Sequence, residues 1–173
     1  MKSFFEKIST KLVLVILALL FIWFNLMLNQ FLSKDHALDL KFAYTAEQAY
    51  LSIGQLSFDQ RKLYRFGIWA LDMPYLLVYS IFLSGILYRL WGIRKIVFLP
   101  FVAAFFDLFE NLMILRILKV FPRHEDFLAI CASVCTSLKW ISVLFIFLGI
   151  VIGLFKTLYF RQTVPFNSNN IKS

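Results

Sequence analysis

Four long apolar runs constrain this chain more than any other feature of its sequence. A bilayer core needs about 20 consecutive apolar residues in a helix, and each run reaches that length. Because lipid offers no hydrogen bonds, a run that crosses it must satisfy its own backbone groups, as a helix does. We therefore predict an all-α fold: a bundle of four transmembrane helices in one domain over residues 1–160, with a flexible polar tail over 161–173. The predicted spans are 12–31, 66–88, 96–118 and 127–155.

The composition places these runs in a membrane protein rather than in a soluble core. Of the 173 residues, 61% are hydrophobic, and the mean hydropathy is +0.77, above what soluble domains show. A net charge of +8 would suggest nucleic-acid binding in a soluble protein. Here the basic residues stand at the ends of the apolar runs, where they set topology and contact anionic lipids. Membrane lipids are therefore the predicted partners, and nucleic acid is not.

The residue types that hold metals or redox cofactors are too scattered to predict such a group. Cys131 and Cys135 are four apart within an apolar run, unlike a Cys-x-x-Cys redox pair or a zinc set, and they suit small packing positions in a span. His36 and His124 fall in separate loops. We predict no cofactor and no metal site.

Lysine and arginine residues near the span ends predict the orientation of the chain. Nine fall on the side that holds the termini, and eight on the side of the long loop between the first two spans. The nine are packed into shorter segments, which weigh more in the positive-inside rule. We therefore predict a multi-pass protein of the inner membrane with both termini in the cytoplasm. The first run is too long for a signal peptide and lacks a small-x-small cleavage site, so we expect it to be retained.

The loop from 33 to 65 carries a helical signal of its own. In "YTAEQAYLSIGQL", Thr45 is followed three residues later by Gln48, the pattern of a capping box, and apolar residues then recur at helical spacing. Ser57 and Gln60 repeat the pattern just before the second span. We predict a short amphipathic helix at the outer interface, either a connector that rests its apolar face on lipid or a cap over the bundle mouth.

Polar residues gather in one half of the predicted bundle. With a rise of about 1.5 Å per residue, they fall roughly 9 to 18 Å below the outer ends of their spans, and all four spans contribute. The inner half has almost none. The predicted polar cluster consists of Asn25, Asp72, Asp107, Glu110, Asn111, Thr136 and Lys139.

The spacing of these residues places them on shared helix faces. In "FFDLFENLMILRIL", Asp107, Glu110, Asn111 and Ile114 form one stripe. An ionised group at membrane depth costs a few kcal/mol on insertion scales, so the carboxylates are expected to face one another, a cation or water rather than lipid. A second stripe, suited to close helix approach, runs along the fourth span through Ala132, Ser133, Thr136, Lys139 and Trp140.

Two further features predict how the cluster is arranged. Lys139 matches Asp107 in depth, so we expect these two to pair. Arg116 is expected either to snorkel outward or to reach Asp72. Pro74 removes an amide hydrogen two residues after Asp72 and leaves a carbonyl one turn earlier without its usual partner. We therefore expect the second span to bend there and to open room in the bundle.

Between Tyr44 and Trp140, several motifs resemble those of a group of bacterial integral membrane proteins of uncharacterised function with four predicted spans. The matching pieces are "YTAEQAYLSIG", "DQRKLYRF", "LDMPYLLVYSIFL", "FDLFENLMIL" and "SLKW". The resemblance covers over half of the chain and implies a four-span fold. It implies no particular activity, and it draws attention to Asp72, Asp107, Glu110, Asn111 and Lys139.

The polar cluster supports three functional hypotheses. The first is a pocket that opens toward the outer leaflet and binds a lipid or small hydrophobic molecule, with a reaction on it left open. In it, Asp72 and Glu110 would orient the ligand or transfer protons, Asn25 and Asn111 would hydrogen-bond it, and Lys139 would supply the counter-charge. The second is a proton-coupled transporter or channel subunit, oligomeric at this size. The third is a structural or assembly protein, alone, as a homo-oligomer or in a membrane complex, whose cluster serves helix packing.

Overall fold

The chain is predominantly helical in the part that the structure describes. This computed structural model describes residues 2–31, 38 and 41–162, without the side chains of 31 and 160–162. His36 and most of the predicted tail, 161–173, lie outside these residues. The helices are α1 (Lys2–Ile8), α2 (Lys11–Phe31), α3 (Ala46–Gly54), α4 (Phe58–Gly67), α5 (Met73–Trp91), α6 (Leu99–Val120) and α7 (Asp126–Gln162). A π-helical segment, Ile68–Asp72, joins α4 to α5, and a 3-10 segment, Lys95–Phe98, leads into α6.

Four helical stretches are long and apolar enough to cross a membrane, which confirms the predicted all-α bundle with four spans. The chain is therefore a multi-pass membrane protein. The second stretch begins at Phe58 rather than near 66, because α4 continues through the π-helical segment into α5, although α4 is too polar to be recognised as part of a span. The stretches are Lys11–Gln30, Phe58–Trp91, Lys95–Val120 and Asp126–Tyr159.

Both predicted capping boxes are present at the starts of α3 and α4. The Thr45 hydroxyl accepts from the amide of Gln48 at 3.2 Å, and the Gln48 side chain accepts from the amide of Thr45 at 3.0 Å. Ser57 and Gln60 make the same two bonds at 3.2 and 2.7 Å. Each box satisfies amide groups that the first turn of a helix leaves open, so the starts of both helices are encoded locally.

The predicted interfacial helix, α3, covers one end of the bundle. Its Ala49, Tyr50 and Ile53 are buried in an apolar core with residues of α6 and α7, including Ile114 and Ala129. Of the two forms expected for this segment, a cap matches these contacts and a connector that rests its apolar face on lipid does not. The amphipathic pattern is the same in both cases, because it records a buried face and not what buries it.

Pro74 reshapes the second span. A proline has no amide hydrogen, so the α-helical bonding pattern cannot continue unchanged through it. The chain widens here into the π-helical segment, in which the amide of Met73 donates to the carbonyl of Ile68, five residues back. The disturbance expected beside Asp72 is therefore a wider helical turn, and this turn ends on the buried Asp72.

Two apolar cores stack along the bundle with a polar layer between them. The first core, on the α3 side, includes Ile53, Tyr64, Ile68, Ile114, Leu118, Ala129 and Ala132. The second, on the side of the termini, includes Phe5, Leu76, Leu87, Val97, Ala103 and Ile146. In the second span, Asp72 separates Ile68 of the first core from Leu76 of the second, and along α6 and α7 buried polar residues likewise separate the members of the two cores. We define the polar layer as Asp72, Asp107, Glu110, Asn111, Thr136 and Lys139.

Helix α2 lies at the edge of the bundle, and none of the residues in its most apolar stretch is buried. It packs against α5, with α1 folded back beside them. Gly85 of α5 permits this approach, since a Cβ there would lie 2.9 Å from the carbonyl oxygen of Ile8 and from Cδ2 of Leu14. Gly92, with a φ of 65°, then ends α5 in a conformation that other residues rarely adopt. The peripheral position of α2 leaves space between it and the polar layer.

Candidate functional site

Lys139 stands at the centre of the polar layer. Its side chain projects from α7, and its Nζ lies 3.1 Å from Oδ1 of Asp107 and 2.7 Å from Oε2 of Glu110, both on α6. The two acids are three residues apart, so one turn of α6 presents both to the same ammonium. The predicted pairing of Lys139 with Asp107 is confirmed, and Glu110 shares the cation.

Two hydroxyl groups contact the acids of α6. Tyr79 of α5 donates to Oδ2 of Asp107 at 3.0 Å. Oγ1 of Thr136 lies 2.7 Å from Oε1 of Glu110 and 2.9 Å from the carbonyl oxygen of Ala132. A hydroxyl has one hydrogen to donate. If Thr136 donates this hydrogen to Glu110, the carboxylate can be ionised. If Thr136 donates it to the carbonyl of Ala132 instead, a hydrogen bond with Glu110 requires that Glu110 carry a proton. The contact can therefore accommodate Glu110 with or without a proton.

Asp72 joins the layer through Asn111. Nδ2 of Asn111 donates to Oδ2 of Asp72 at 2.6 Å, and both side chains are buried. Asp72 is the last residue of the π-helical segment, so the wider turn lies directly beside this contact. The hydrogen bond ties the second span to the third at the level of the polar layer.

Asn25 lies apart from this network, on α2. Its Nδ2 donates to the hydroxyl of Tyr75 at 2.7 Å and to the carbonyl of Phe21, one turn earlier, also at 2.7 Å. The rings of Phe21 and Tyr75 pack with their centroids 5.5 Å apart. These contacts fix α2 against α5, and both amide hydrogens of Asn25 are used in them.

A cavity of about 620 Å³ separates α2 from the polar layer. Side chains of α2, α5, α6 and α7 line it, together with the end of the π-helical segment, and most of its wall is apolar or aromatic. Its polar lining consists of Asn25, Asn29, Asp72, Tyr75, Tyr79, Asp107 and Lys139. The cavity therefore has an apolar body with charged groups on one side.

Four of the seven predicted residues line the cavity, and the other three belong to the part of the polar layer that lies behind the cavity wall. The wall contains Asn25, Asp72, Asp107 and Lys139. The part of the polar layer behind the wall contains Glu110, Asn111 and Thr136, each 0% exposed. Glu110, which the sequence predicts to face a ligand, contacts Lys139 from behind instead, because α6 turns Asp107 toward the cavity.

Arg116 lies outside the polar layer. Its guanidinium pairs with Glu125 at 3.1 Å, and its side chain is 54% exposed. Of the two arrangements expected for Arg116, the structure therefore shows the outward one. The backbone amide of Glu125 donates to the hydroxyl of Tyr50, and the Tyr50 ring stacks on His124 with centroids 3.8 Å apart. This group links the α6–α7 connection to α3 and is separate from the cavity.

The formal charge of the buried groups does not balance. Among the described residues, the buried acidic and basic side chains are three carboxylates, Asp72, Asp107 and Glu110, and one ammonium, Lys139. With all four ionised, the formal charge is −2. An uncompensated charge away from water is costly, so a proton or a bound cation would stabilise this region. The arrangement can therefore hold a proton, bind a positively charged group, or do both.

Sequence reasoning missed Tyr75, Tyr79 and Asn29, which also line the cavity. The signal was present, because the two tyrosines fall three and seven residues after Asp72 and so share its helix face. Tyrosine has a large apolar ring with a polar tip, so within an apolar run it does not stand out as a polar residue. Asn29 follows Asn25 at the spacing of one helical turn.

Metal binding has no support in this part of the chain. Within the described ranges, no three or more His, Cys, Asp or Glu side chains are grouped so that they could hold a metal ion. Cys131 and Cys135 are free thiols of intermediate burial. The packing role expected of them stays a prediction.

Comparisons with known proteins do not assign this chain to a family. No protein-family model matches it, and neither does a curated protein or a solved structure. The resemblance to bacterial four-span proteins therefore stays an interpretation of the motifs, and the candidate function has to be argued from the geometry of the site.

Proposed function

We propose that this membrane protein binds a lipid or a small hydrophobic molecule in the cavity between α2 and the polar layer. The observation that carries the proposal is an apolar body with a few polar groups, of which the charged ones are gathered on one side. Small-molecule sites have this composition, with volumes of about 300 to 1,000 Å³. The cavity volume of about 620 Å³ lies within that range.

The polar residues take different roles in this proposal. Asp72 and Asp107 orient the polar end of the ligand, and Asn25 offers its amide oxygen from the opposite wall. Lys139 holds Asp107 in place through their ion pair. Glu110 acts through Lys139 rather than on the ligand, because it is buried behind the ammonium. We assign no reaction to the site.

Filling the cavity tests this proposal directly. Val143 lines the cavity, whereas its neighbour Leu144 is 56% exposed on the outside of the same helix. We expect hydrophobic molecules to co-purify with the wild-type protein in a mild detergent, enriched over the bulk lipid of the same membrane. Val143→Trp should lose this enrichment and Leu144→Trp should keep it, as measured by organic extraction and mass spectrometry. Equal profiles for both variants, or no enrichment in the wild type, would count against binding.

A charge-removing variant separates binding from packing. Asp72→Asn keeps the size of the side chain and its contact with Asn111, and Glu6→Gln is a matched change at an exposed position of α1. When the wild-type extract is added back, we expect Asp72→Asn to lose the thermal stabilisation that wild type and Glu6→Gln show. If Asp72→Asn is less stable than wild type by the same amount with and without the extract, the polar layer serves helix packing and assembly, which is the structural alternative.

Proton transport across the whole bundle has less support. Such a path needs polar groups through the second core as well as in the polar layer. The buried polar side chains of α5 in that core are Ser80 and Ser84, and their hydroxyls donate to the backbone carbonyls of Leu77 and Val97. Proton flux in liposomes that disappears on Glu110→Gln would favour transport over the binding proposal.

We infer that the protein resides in a bacterial inner membrane with its termini in the cytoplasm, so that the cavity lies nearer the outer leaflet. The support is the short connection after α5, where Arg89, Arg94 and Lys95 fall within seven positions on the side of the termini. Reporter fusions at the C-terminus and within the α6–α7 connection test this orientation. Activity of a periplasm-dependent reporter at the C-terminus would reverse it.

A further inference from the structure

The charged part of the cavity wall is anionic. Asp72 and Asp107 both line the cavity, and the one buried basic side chain among the described residues is Lys139. Its ammonium lies within 3.1 Å of Asp107 and 2.7 Å of Glu110, so it is already shared between two carboxylates. The formal charge of this region stays at −2 when all its groups are ionised, although a lysine is part of it.

Aromatic rings lie next to these acids. Phe21, Tyr75, Tyr79 and Trp140 line the same cavity, and the rings of Tyr75 and Tyr79 lie 5.2 Å apart, centroid to centroid. The faces of aromatic rings attract cations, most strongly where water is excluded. Carboxylates beside aromatic faces form a wall suited to a positively charged group and unsuited to an anionic one.

The rest of the cavity suits a hydrocarbon chain. Leu26 and Leu28 of α2, Leu83 of α5 and Val143 of α7 line it, and they offer no hydrogen bonds from their side chains. Burial of apolar area is favourable for a chain that leaves water, and a chain that is already in lipid gains less from it. The polar end of the ligand therefore decides which amphiphile is held.

We propose that the cavity selects amphiphiles whose head group is a protonated amine or a quaternary ammonium, held between Asp72 and Asp107 against the aromatic wall. This inference rests on the proposed binding function and names its ligand class. The bound cation reduces the negative charge of the region, so binding and the protonation of the buried acids compete. Amphiphiles with a carboxylate or phosphate head are excluded, because they add a negative charge beside two others.

Three probes with the same chain and different head groups test the selectivity: dodecyltrimethylammonium, dodecan-1-ol and dodecanoate. Each is titrated into the full-length protein in nanodiscs of zwitterionic lipid, and its stabilisation against thermal unfolding gives an apparent affinity. We expect the ammonium probe to bind about ten- to a hundredfold more tightly than the alcohol, the amount that a hydrogen bond or contact with a charged group represents. Dodecanoate should give no saturable stabilisation.

The variants distinguish failure of this inference from failure of the binding function. Asp72→Asn should bring the affinity of the ammonium probe close to that of the alcohol, so that the preference between the two head groups is lost. Val143→Trp should abolish the binding of both probes, whereas Leu144→Trp should change neither. If Asp72→Asn does not fold, the wild-type order of the three probes still decides the outcome.

The possible results point in different directions. If the ammonium probe and the alcohol bind equally and Val143→Trp abolishes both, the cavity binds hydrophobic molecules and the charge selectivity is wrong. Tighter binding of dodecanoate would overturn the inference as well, because it would make Lys139 the dominant group. If none of the probes binds in a saturable way, both the binding function and its ligand class fail.

Discussion

Removing the ammonium of Lys139 is the sharpest perturbation of the polar layer. Lys139→Met keeps a long, unbranched side chain of similar shape and deletes the charge that lies 3.1 Å from Asp107 and 2.7 Å from Glu110. The change leaves two carboxylates facing the position of the lost cation. Since all three side chains are at most 10% exposed, water offers them little compensation.

The expected cost follows from these distances. At an effective dielectric constant of about 20, a pair of unit charges at either distance attracts by about 5 to 6 kcal/mol. Most of this attraction offsets the desolvation of the charges. Truncating one partner of a buried pair nevertheless costs about 3 to 5 kcal/mol, because the other charge is left uncompensated. We therefore expect Lys139→Met to lower the free energy of unfolding by about 3 to 5 kcal/mol.

The effect is measurable by reversible unfolding in bicelles, followed by circular dichroism as a denaturing detergent is added. Lys62→Met is the control, because the ammonium of Lys62 lies over the Phe58 ring at the surface, and its loss should cost no more than about 0.5 kcal/mol. A triple variant that adds Asp107→Asn and Glu110→Gln should recover at least half of the loss. A cost near 0.6 kcal/mol, the average for polar contacts between membrane helices, would refute the reasoning, as would a triple variant no more stable than Lys139→Met.

Three further changes, the first with a matched control, test other parts of the fold by the same unfolding assay. Gly85→Ala should cost about 1 to 3 kcal/mol, because its Cβ would lie 2.9 Å from the carbonyl oxygen of Ile8, the last residue of α1; its control Gly54→Ala, with the nearest neighbour at 4.0 Å, should be neutral or stabilising by up to about 1 kcal/mol. Asn111→Leu should cost about 1 to 3 kcal/mol, since it removes the donor to buried Asp72; an unchanged stability would show that this hydrogen bond is dispensable. Ser84→Ala should cost about 1 kcal/mol, because the hydroxyl donates to a carbonyl of the 3-10 segment at 2.9 Å; a stabilising effect would contradict this.

Most of the fold was predictable from the sequence because its determinants are local. The length of each apolar run predicts a span, and the capping boxes at Thr45 and Ser57 predict where α3 and α4 begin. The start of the second span was not predictable from the sequence. The segment "FDQRKLYR" carries charges that lower its hydropathy, although its backbone continues the helix. Hydropathy reports where a helix is apolar and not where it ends.

The candidate site was predictable as a list of residues and not as a shape. Equal depth predicts that Lys139 meets Asp107, because helix rise alone fixes depth. That Asp107 rather than Glu110 faces the cavity depends on the rotation of α6 against its neighbours, which sequence spacing leaves open. The cavity itself depends on the position of α2 at the edge of the bundle, and this position results from packing between helices distant in sequence.

The π-helical turn has a consequence for how the second span tolerates change in length. Such a turn holds one residue more than an α-helical turn, so the helix on one side of it is out of phase with the other by about 100°. Tyr64 and Leu76 occupy different apolar cores across this phase shift. Deleting Ala70 would remove the extra residue and turn one of these two faces toward lipid. The extra residue therefore sets the angle between the buried faces of the two halves of the second span.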